Sequence, residues 1–389
     1  MRRRELLRLS AAAGLGLWLP RATRAAGSSA WPGRHLVLVQ LDGGNDGLNT
    51  VVPFADPAYR RLRPRLGLST DEVLRLDERL GLHSALEPLM TSWEKRDLAI
   101  ALGVGYPEPN RSHFRSTDIV ESGSGSETTL SEGWLTRLLA DEPAPSSAIA
   151  SGILLGGDRP GVLTGAPDPV ALSRPQRLTR RAKRLEEPGD APGGNPALAH
   201  LLGVQDRLRS AAGRVEALLG KAPAALSGFP RSRFATQLEL AARLLGAGLD
   251  APVLVARLGG FDTHANQAGT HRRLLGELAE GLAAFRASLI AQGTWDRVLV
   301  MTYSEFGRRA KENGSGGTDH GTAAPWLLMG GRVRGGLVGT QPSLIELDGG
   351  DLRHGLDFRR LHATAARGFF GLEAPSIDRR FRALDVLKV

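Results

Sequence analysis

Residues 35–47 read HLVLVQLDGGNDG, and this stretch decides the fold class of the 389-residue chain. The almost unbroken apolar run from His35 to Leu41 predicts a strand buried on both faces, because a strand with one wet face alternates polar and apolar residues. The strand runs directly into a glycine-rich loop that begins at Asp42. Ligands of open parallel sheets bind at the carboxyl ends of the strands, so this loop is the first candidate site.

Further apolar runs predict more strands, and stretches with helical spacing separate several of them. The predicted strands are 98–104, 153–155, 253–258 and 298–302, and the predicted helices are 84–95, 196–219, 231–245 and 271–292. This alternation is typical of an α/β fold with a mostly parallel central sheet and helices on both faces. Residues 165–196 are rich in Pro, Arg and Gly and predict an irregular excursion from a single domain that spans 31–389.

The composition limits the chemistry of any site. The chain has no cysteine, which excludes thiolate ligands, so a metal would be held by carboxylates, imidazoles, hydroxyls or water. The net charge of +9 suits anionic substrates, envelope surfaces or nucleic acid, although a general preference for arginine over lysine is the simpler explanation. The sequence contains no zinc finger, recognition helix or aromatic-basic pattern, so we expect no nucleic-acid partner.

Residues 1–30 are basic, then apolar, then small, which is the order of a signal peptide. Three arginines, Arg2 to Arg4, precede the apolar stretch Ala11 to Leu19, and Ala25 and Ala26 follow. The stretch is shorter than the roughly 20 residues that span a bilayer, so we expect cleavage and no stable membrane span. The paired arginines resemble a twin-arginine signal, and an ordinary Sec signal is the alternative. Both predict a periplasmic or secreted protein.

Side chains that bind metals or do chemistry follow four of the predicted strands and recur in a glycine-rich segment farther along. They are Asp42, Ser112, His113, Asp262, His264, Glu305 and, within 316–322, His320. Singly, an aspartate at a strand end is more typical of a helix cap or turn. Together, carboxylates and imidazoles on loops that meet at one sheet edge predict a site for a divalent cation.

Five segments in this order resemble the exported domain-of-unknown-function family 1501, part of the alkaline phosphatase, sulfatase and phosphoglycerate mutase superfamily. The segments are residues 38–50, 111–114, 259–264, 304–308 and 317–321. The resemblance implies an alkaline-phosphatase-like fold and a divalent metal, Zn, Mg, Mn or Ca. It implies that the metal ligands are Asp42, Asp262, His264, Glu305 and His320.

The resemblance also places the superfamily's nucleophile at Ser112. Metal coordination would lower the pKa of that hydroxyl and stabilise charge on the transferring group. His113 acts as a general acid/base or only orients the loop. Phe306 stands where the superfamily has a metal-binding histidine, so a second cation would be weak, replaced by a harder ion, or absent.

Several polar side chains near these motifs are candidates for substrate binding. Arg111, Arg115 and Arg308 would neutralise phosphate or sulfate oxygens through their planar guanidinium groups, or they provide only surface charge. Asn45, with Asp46, positions the substrate or only forms the loop.

The predicted function is an exported metal-dependent hydrolase or transferase that acts on a small phosphate, sulfate or related anionic ester with a serine nucleophile. The alternative is a non-catalytic envelope protein that keeps the fold and a degenerate metal site as a binding or assembly scaffold beside an exported protein partner. A serine hydrolase built on Ser112 is a weaker third reading, because no Gly-x-Ser-x-Gly elbow surrounds that residue.

Overall fold

The computed structural model describes residues 31, 33–145, 147–172 and 196–388. The predicted signal peptide, residues 1–30, lies outside the described residues. Most of the predicted irregular excursion, residues 173–195, lies outside them as well.

The strands of the described residues form a large sheet and a small one. In chain order they are β1 His35–Asp42, β2 Val51–Val52, β3 Val73–Arg75, β4 Gly81–His83, β5 Leu98–Gly105, β6 Ile153–Leu154, β7 Val170–Ala171, β8 Val253–Gly259, β9 Val298–Tyr303, β10 Ala324–Met329, β11 Gly336–Val338 and β12 Leu356–Asp357. The small sheet has the order β2-β4-β3 and is antiparallel.

The large sheet has nine strands in the order β11-β5-β10-β9-β1-β8-β6-β7, with β12 also paired to β5. Strand β10 is antiparallel to both of its neighbours, β5 and β9. All the other pairings in this sheet are parallel. Strand β1 lies between β8 and β9 at the centre, which explains why its apolar run is continuous.

The helices of the described residues are mostly connections between these strands. In chain order the α-helices are α1 Pro57–Leu62, α2 Met90–Glu94, α3 His113–Ser122, α4 Trp134–Asp141, α5 Pro196–Lys221, α6 Arg233–Gly246, α7 Gln267–Ala291 and α8 Arg359–Ala363. Short 3-10 helices cover Gly47–Asn49, Thr70–Glu72, Ser84–Leu89, Gly161–Leu163 and Trp295–Arg297, and a π-helical turn covers Thr364–Phe369.

Apolar side chains of β1 point alternately to the two faces of the sheet. Val39 belongs to the same hydrophobic core as Leu278 of α7. Its neighbour Leu38 belongs to the opposite core, together with Ile119 of α3. Helices therefore cover both faces, and the prediction of a mostly parallel α/β sheet is confirmed.

The predicted strands and helices all occur, but the segment 84–95 begins as a 3-10 helix that contains Pro88. The sequence analysis missed β10, because an antiparallel strand inserted between parallel ones breaks the expected alternation. None of the helices in the described ranges is both long and apolar enough to cross a membrane.

The direction of β10 matters for the site. The parallel strands β1, β5, β8 and β9 all end at one edge of the sheet, and β10, running the opposite way, begins at that edge. The loops that follow the parallel strands and the loop that precedes β10 therefore meet there.

Candidate metal centre

Asp262 is the centre of a cluster of three imidazoles at this edge. Its Oδ1 atom lies 3.1 Å from Nε2 of His264 and 3.3 Å from Nε2 of His320. Nε2 of His113 is 3.4 Å from the same oxygen. The donor atoms of His113, Asp262 and His320 all lie within 4.8 Å of one another. The structure therefore brings together three of the five predicted ligands and adds His113.

The outward ring nitrogens of the histidines are held by acceptors. Nδ1 of His113 donates to Oε1 of Glu305 at 2.7 Å, and Nδ1 of His320 donates to the carbonyl of Arg111 at 2.8 Å. In the neutral imidazole, a proton on Nδ1 leaves a lone pair on Nε2. Nδ1 of His264 faces Asp319 at 3.5 Å. Such outer partners are what orients histidine ligands in metal sites.

Whether these residues fit a cation depends on the atoms that face the inside of the cluster. Those atoms are a carboxylate oxygen and imidazole nitrogens that can act as acceptors. Nε2 of His264 lies only 2.9 Å from Nε2 of His320. Nε2 of His113 is buried and has no hydrogen-bond partner among the described residues. Three imidazole nitrogens, one of them without a hydrogen-bond partner among the described residues, and a carboxylate oxygen face one another, an arrangement that a positive ion would stabilise. The residues fit a divalent cation.

Arg308 holds the Asp262 carboxylate in its charged form. The guanidinium Nη2 donates to Oδ1 of Asp262 at 2.7 Å. Burial alone would raise the pKa of Asp262, but the hydrogen bond and charge of Arg308 outweigh it and lower that pKa to about 2. The carboxylate is therefore ionised and can act as a ligand at neutral pH.

Glu305 contacts the cluster through His113 and is not among the atoms that surround Asp262. It is buried directly after β9, where Oε1 also accepts a hydrogen bond from the amide of Gly43 at 2.9 Å. The hydrogen bond from His113 to this carboxylate raises the pKa of that imidazole. Glu305 thus contacts His113 directly, and its predicted role as a metal ligand stays a prediction.

Asp42 is exposed at the end of β1, and its main-chain carbonyl accepts a hydrogen bond from the amide of Phe261 at 3.1 Å. Partial desolvation and then the charge of Glu305 raise its pKa, with a smaller opposing effect from His113. Asp42 is thus near Glu305 and His113 but outside the His113, Asp262 and His320 group. Its role as a ligand stays a prediction.

Ser112 is the N-cap residue of α3 and immediately precedes the cluster histidine His113. Its main-chain amide donates a hydrogen bond to Oδ1 of Asn110 at 2.8 Å, and Ser112 is exposed. A solvent-facing hydroxyl next to the cluster is compatible with the predicted nucleophile, which stays a prediction.

Phe306, which replaces the expected histidine, packs beneath the imidazoles. Its ring centroid lies 4.8 Å from that of His113 and 4.8 Å from that of His320. It is buried, so it supports two donor residues and leaves no second nitrogen ligand at this position.

Two predicted substrate-binding residues have other partners. The side chain of Arg308 is fully buried and donates to Asp262 and to the carbonyls of Gly43, Gly44, Phe261 and Thr318. It cannot reach a substrate in this state, so its predicted anion-binding role is corrected to positioning Asp262. Arg115 pairs with Asp118 and with the carbonyls of Ser126 and Thr128.

Arg111 is better placed for an anion. Its side chain is partly exposed and lies 3.3 Å from Asp351, while its carbonyl contacts His320. Its proximity to the cluster agrees with the predicted role, which no contact in the described residues tests directly.

Asn45 lies beneath the cluster and not on its open side. It is buried, its Nδ2 donates to the hydroxyl of Thr50 at 3.0 Å, and its Oδ1 lies 2.9 Å from Nε2 of His271. Asp46 is also fully buried and pairs with Arg63. The predicted substrate contact of Asn45 is therefore corrected: the side chain is enclosed in a structural network, as the loop-forming alternative anticipated.

Gly43 lets the loop after β1 approach the loop after β8. Its φ is +117°, and a Cβ added there would lie 2.4 Å from the amide nitrogen of Asp262. Any other residue would combine an unfavourable backbone conformation with a clash against a cluster residue.

The fold and the cluster define an α/β protein with a histidine and carboxylate centre at the carboxyl edge of its sheet. The model of the family described as "Protein of unknown function (DUF1501)" matches residues 75–369. The chain therefore belongs to this family, as the sequence motifs predicted. No curated protein matches the chain.

Solved structures similar to this chain include a synthase, a sulfatase and a phosphatase. The lipoteichoic acid synthase LtaP from Listeria monocytogenes has a TM-score of 0.39 and 11% identity, over 91% of this chain and 76% of that one. The PsFucS1 sulfatase from Pseudoalteromonas sp. has a TM-score of 0.39 and 11% identity, over 90% and 71%. A mutant of alkaline phosphatase PafA has a TM-score of 0.34 and 8% identity, over 71% and 63%.

The position of His113 within the cluster and the burial of Arg308 were not predicted from the sequence. The first had a signal, since His113 lies in one of the five motifs and an imidazole is a common metal ligand. The second had none, because sequence alone does not distinguish a buried arginine from a surface one.

Proposed function

We propose that this protein is a metal-dependent hydrolase or transferase that acts on a small phosphate, sulfate or related anionic ester. The observation that carries the proposal is the convergence of Nε2 of His113, His264 and His320 on one oxygen of Asp262, at 3.1 to 3.4 Å.

His113, Asp262 and His320 would hold the cation, with His264 as the fourth donor. Imidazole-rich sites suit zinc and other transition metals better than calcium or magnesium, so we propose zinc or manganese as the first ions to test. A bound cation supplies Lewis-acid polarisation of the anionic ester.

The surrounding residues keep the donors in place before substrate arrives. Glu305 and the carbonyl of Arg111 hold the tautomers of two imidazoles, and Arg308 fixes the carboxylate. Because these partners are themselves buried or fixed to main chain, little reorganisation accompanies binding. The side chains of His264 and Asp262 are 45% and 48% exposed, which leaves the open side of the cluster accessible to an ester.

Ser112 is the proposed nucleophile. Its oxygen would form a bond to phosphorus or sulfur while the bond to the ester oxygen breaks, and the hydroxyl proton would leave on the released alcohol. Water would then cleave the serine ester and restore the hydroxyl, or an acceptor alcohol would do so in a transferase. Arg111, on the same loop, would neutralise the non-bridging oxygens.

The test is metal content and turnover of the purified protein. We expect about one equivalent of a transition metal, hydrolysis of p-nitrophenyl phosphate or p-nitrophenyl sulfate, and loss of turnover with a chelator that metal restores. The Ser112→Ala variant should bind metal like the wild type and lose turnover. A metal-free, inert protein would overturn the proposal, and a fully active Ser112→Ala variant would overturn the nucleophile.

One observation favours a second candidate, a non-catalytic envelope scaffold that has a partner among exported proteins. Phe306 fills the place of a ligand, and Arg308 and Asn45 are enclosed, so the site has fewer free polar groups than predicted. Metal binding without turnover on both esters would favour this candidate.

We also propose that residues 1–30 form a cleaved twin-arginine signal and that residues 31–389 form one domain exported to the periplasm or beyond. The order of basic, apolar and small residues supports this part. Replacing Arg2, Arg3 and Arg4 with lysine should retain the protein in the cytoplasm, and amino-terminal sequencing of the exported form should begin near residue 26. Export that is unaffected by the lysines would point to the Sec route.

A further inference from the structure

We infer that Gln267 is a positioning residue that sets the affinity of the metal centre by joining three ligand-bearing loops. This inference rests on the proposed metal site. The side-chain amide of Gln267 does not contact the cluster residues directly but contacts their neighbours. Gln267 begins helix α7 and is completely buried.

The acceptor side of the amide joins the two loops that carry Asp262, His264 and His320. Oε1 of Gln267 accepts a hydrogen bond from the hydroxyl of Thr263 at 3.0 Å and another from that of Thr318 at 2.6 Å. Thr263 lies between Asp262 and His264, and Thr318 lies two residues before His320. Both threonines are buried, so these hydrogen bonds are shielded from competing water.

The donor side of the amide reaches the loop after β1. Nε2 of Gln267 donates to Oδ2 of Asp46, whose charge is balanced by buried Arg63. Burial would raise the pKa of Asp46, but the charge of Arg63 and its hydrogen bond lower it, so the carboxylate only accepts. This fixes the orientation of the amide: the NH2 group must face Asp46, and the oxygen must face the two hydroxyls.

The network continues from Arg63 to the loop after β9. Arg63 donates to the carbonyls of Ala310 and Arg309 at 3.0 Å each, close in sequence to Arg308, which holds Asp262. Main-chain bonds reinforce the same junction, because the amide of Gln267 donates to the carbonyl of Gly316 at 2.9 Å. One buried amide thus ties together the loops that must remain in register for the imidazoles to converge.

Few side chains satisfy these three partners together. Glutamate would accept from both threonines but would place a second carboxylate against Asp46 in a buried site. Methionine would fill the volume without any hydrogen bond, leaving two hydroxyls and a carboxylate oxygen with one partner fewer. The amide is the group that can accept twice on one side and donate on the other.

The experiment measures zinc affinity by competition with a chromophoric chelator, together with thermal stability of the metal-free protein. Removing direct hydrogen-bond partners of metal ligands typically weakens metal binding about 10–100-fold. Gln267 contacts the neighbours of the ligands and not the ligands themselves, so for Gln267→Met we expect the lower end of that range, about 10-fold. Gln292→Met is the control, because Gln292 is the C-cap residue at the other end of α7, where its Nε2 donates to the hydroxyl of Ser288 at 3.0 Å. We expect the control to bind zinc like the wild type.

A second pair of variants covers the case that Gln267→Met does not fold. Thr318→Val removes one hydrogen bond to the amide at nearly constant volume, while Thr318→Ser keeps the hydroxyl. We expect weaker zinc binding for Thr318→Val and near-normal binding for Thr318→Ser at similar melting temperatures. Equal zinc affinity in all folded variants would overturn the inference, whereas a wild type that binds no zinc or other divalent metal would overturn the proposed site itself.

Discussion

Nε2 of His264 lies 2.9 Å from Nε2 of His320, across the open side of the Asp262 carboxylate. Nδ1 of His320 already donates to a carbonyl, so a neutral His320 offers only a lone pair toward His264. Such an approach is favourable when a proton or a metal ion is shared between the two nitrogens. The loops thus hold the imidazoles at a separation suited to a cation, and this preorganisation makes the centre testable residue by residue.

Replacing Asp262 with asparagine should nearly abolish metal binding. The change removes the negative charge on which the three imidazoles converge and leaves the shape of the side chain unchanged. We expect zinc affinity to fall at least 100-fold, measured by chelator competition. Asp385→Asn, an exposed carboxylate paired with Arg334, is the matched control and should bind zinc normally. Tight zinc binding by Asp262→Asn would show that the cation lies elsewhere.

Replacing Arg308 with methionine should destabilise the protein and weaken the metal site together. The buried guanidinium donates to four carbonyls and to the partly exposed Asp262, and leaving a buried acceptor without its donor costs about 1–3 kcal/mol per group. We expect a loss of about 3 kcal/mol or more in the free energy of unfolding by urea. The control Arg273→Met removes an exposed pair with Glu277 and should change stability by less than about 0.5 kcal/mol. Equal stability of the two variants would contradict the positioning role.

The fold was predictable from the sequence where one physical signal dominated. Strand β1 is buried on both faces and has a continuous apolar run, whereas helix α7 buries one face and has helical periodicity. The predicted positions of both elements were therefore correct to within a few residues. Strand β10, Ala324–Met329, was not predicted, because no helix separates it from β9 in the described part of the chain and it therefore breaks the strand-helix alternation. Its antiparallel direction could not be read from its apolar run either. Direction depends on which neighbours the strand pairs with, and that is a property of the whole sheet.

The candidate site was predictable in its residue types but not in its arrangement. Asp262, His264 and His320 were identified because each lies in a motif at a predicted strand end or in a glycine-rich loop. Arg308 was predicted to contact an anion, yet its buried guanidinium donates to Asp262, and buried Glu305 accepts a hydrogen bond from His113. Burial of charged side chains depends on partners far away in the chain, such as Gly43 for Glu305, which local patterns do not reveal.

Replacing Gly43 with alanine should separate the loops that form the site. The residue has φ +117° and would place a methyl group 2.4 Å from the amide nitrogen of Asp262. We expect zinc affinity to fall at least 10-fold and the melting temperature to drop, because the loop after β8 must move. In the control Gly314→Ala, no heavy atom lies within 4 Å of the added methyl group, so metal binding should be normal. A Gly43→Ala variant that binds zinc normally would show that the close approach is not needed.

The last prediction concerns acid stability and His271. Burial lowers the pKa of this imidazole to about 4, whereas an unfolded histidine titrates near 6.5. Between these values the unfolded chain binds a proton that the folded chain does not, so the stabilising effect is complete above pH 6.5 and is lost as the pH falls toward 4. The amide of Gln in His271→Gln can still donate to Asn45. We expect this variant to take up fewer protons on unfolding in this pH window, by up to one proton, so that its free energy of unfolding depends less on pH. Urea titrations of metal-free wild type and variant at pH 7.5, 6.0 and 5.0 measure the difference. Parallel curves for the two proteins would mean that the pKa of His271 is the same in the folded and unfolded chain, which would contradict the prediction.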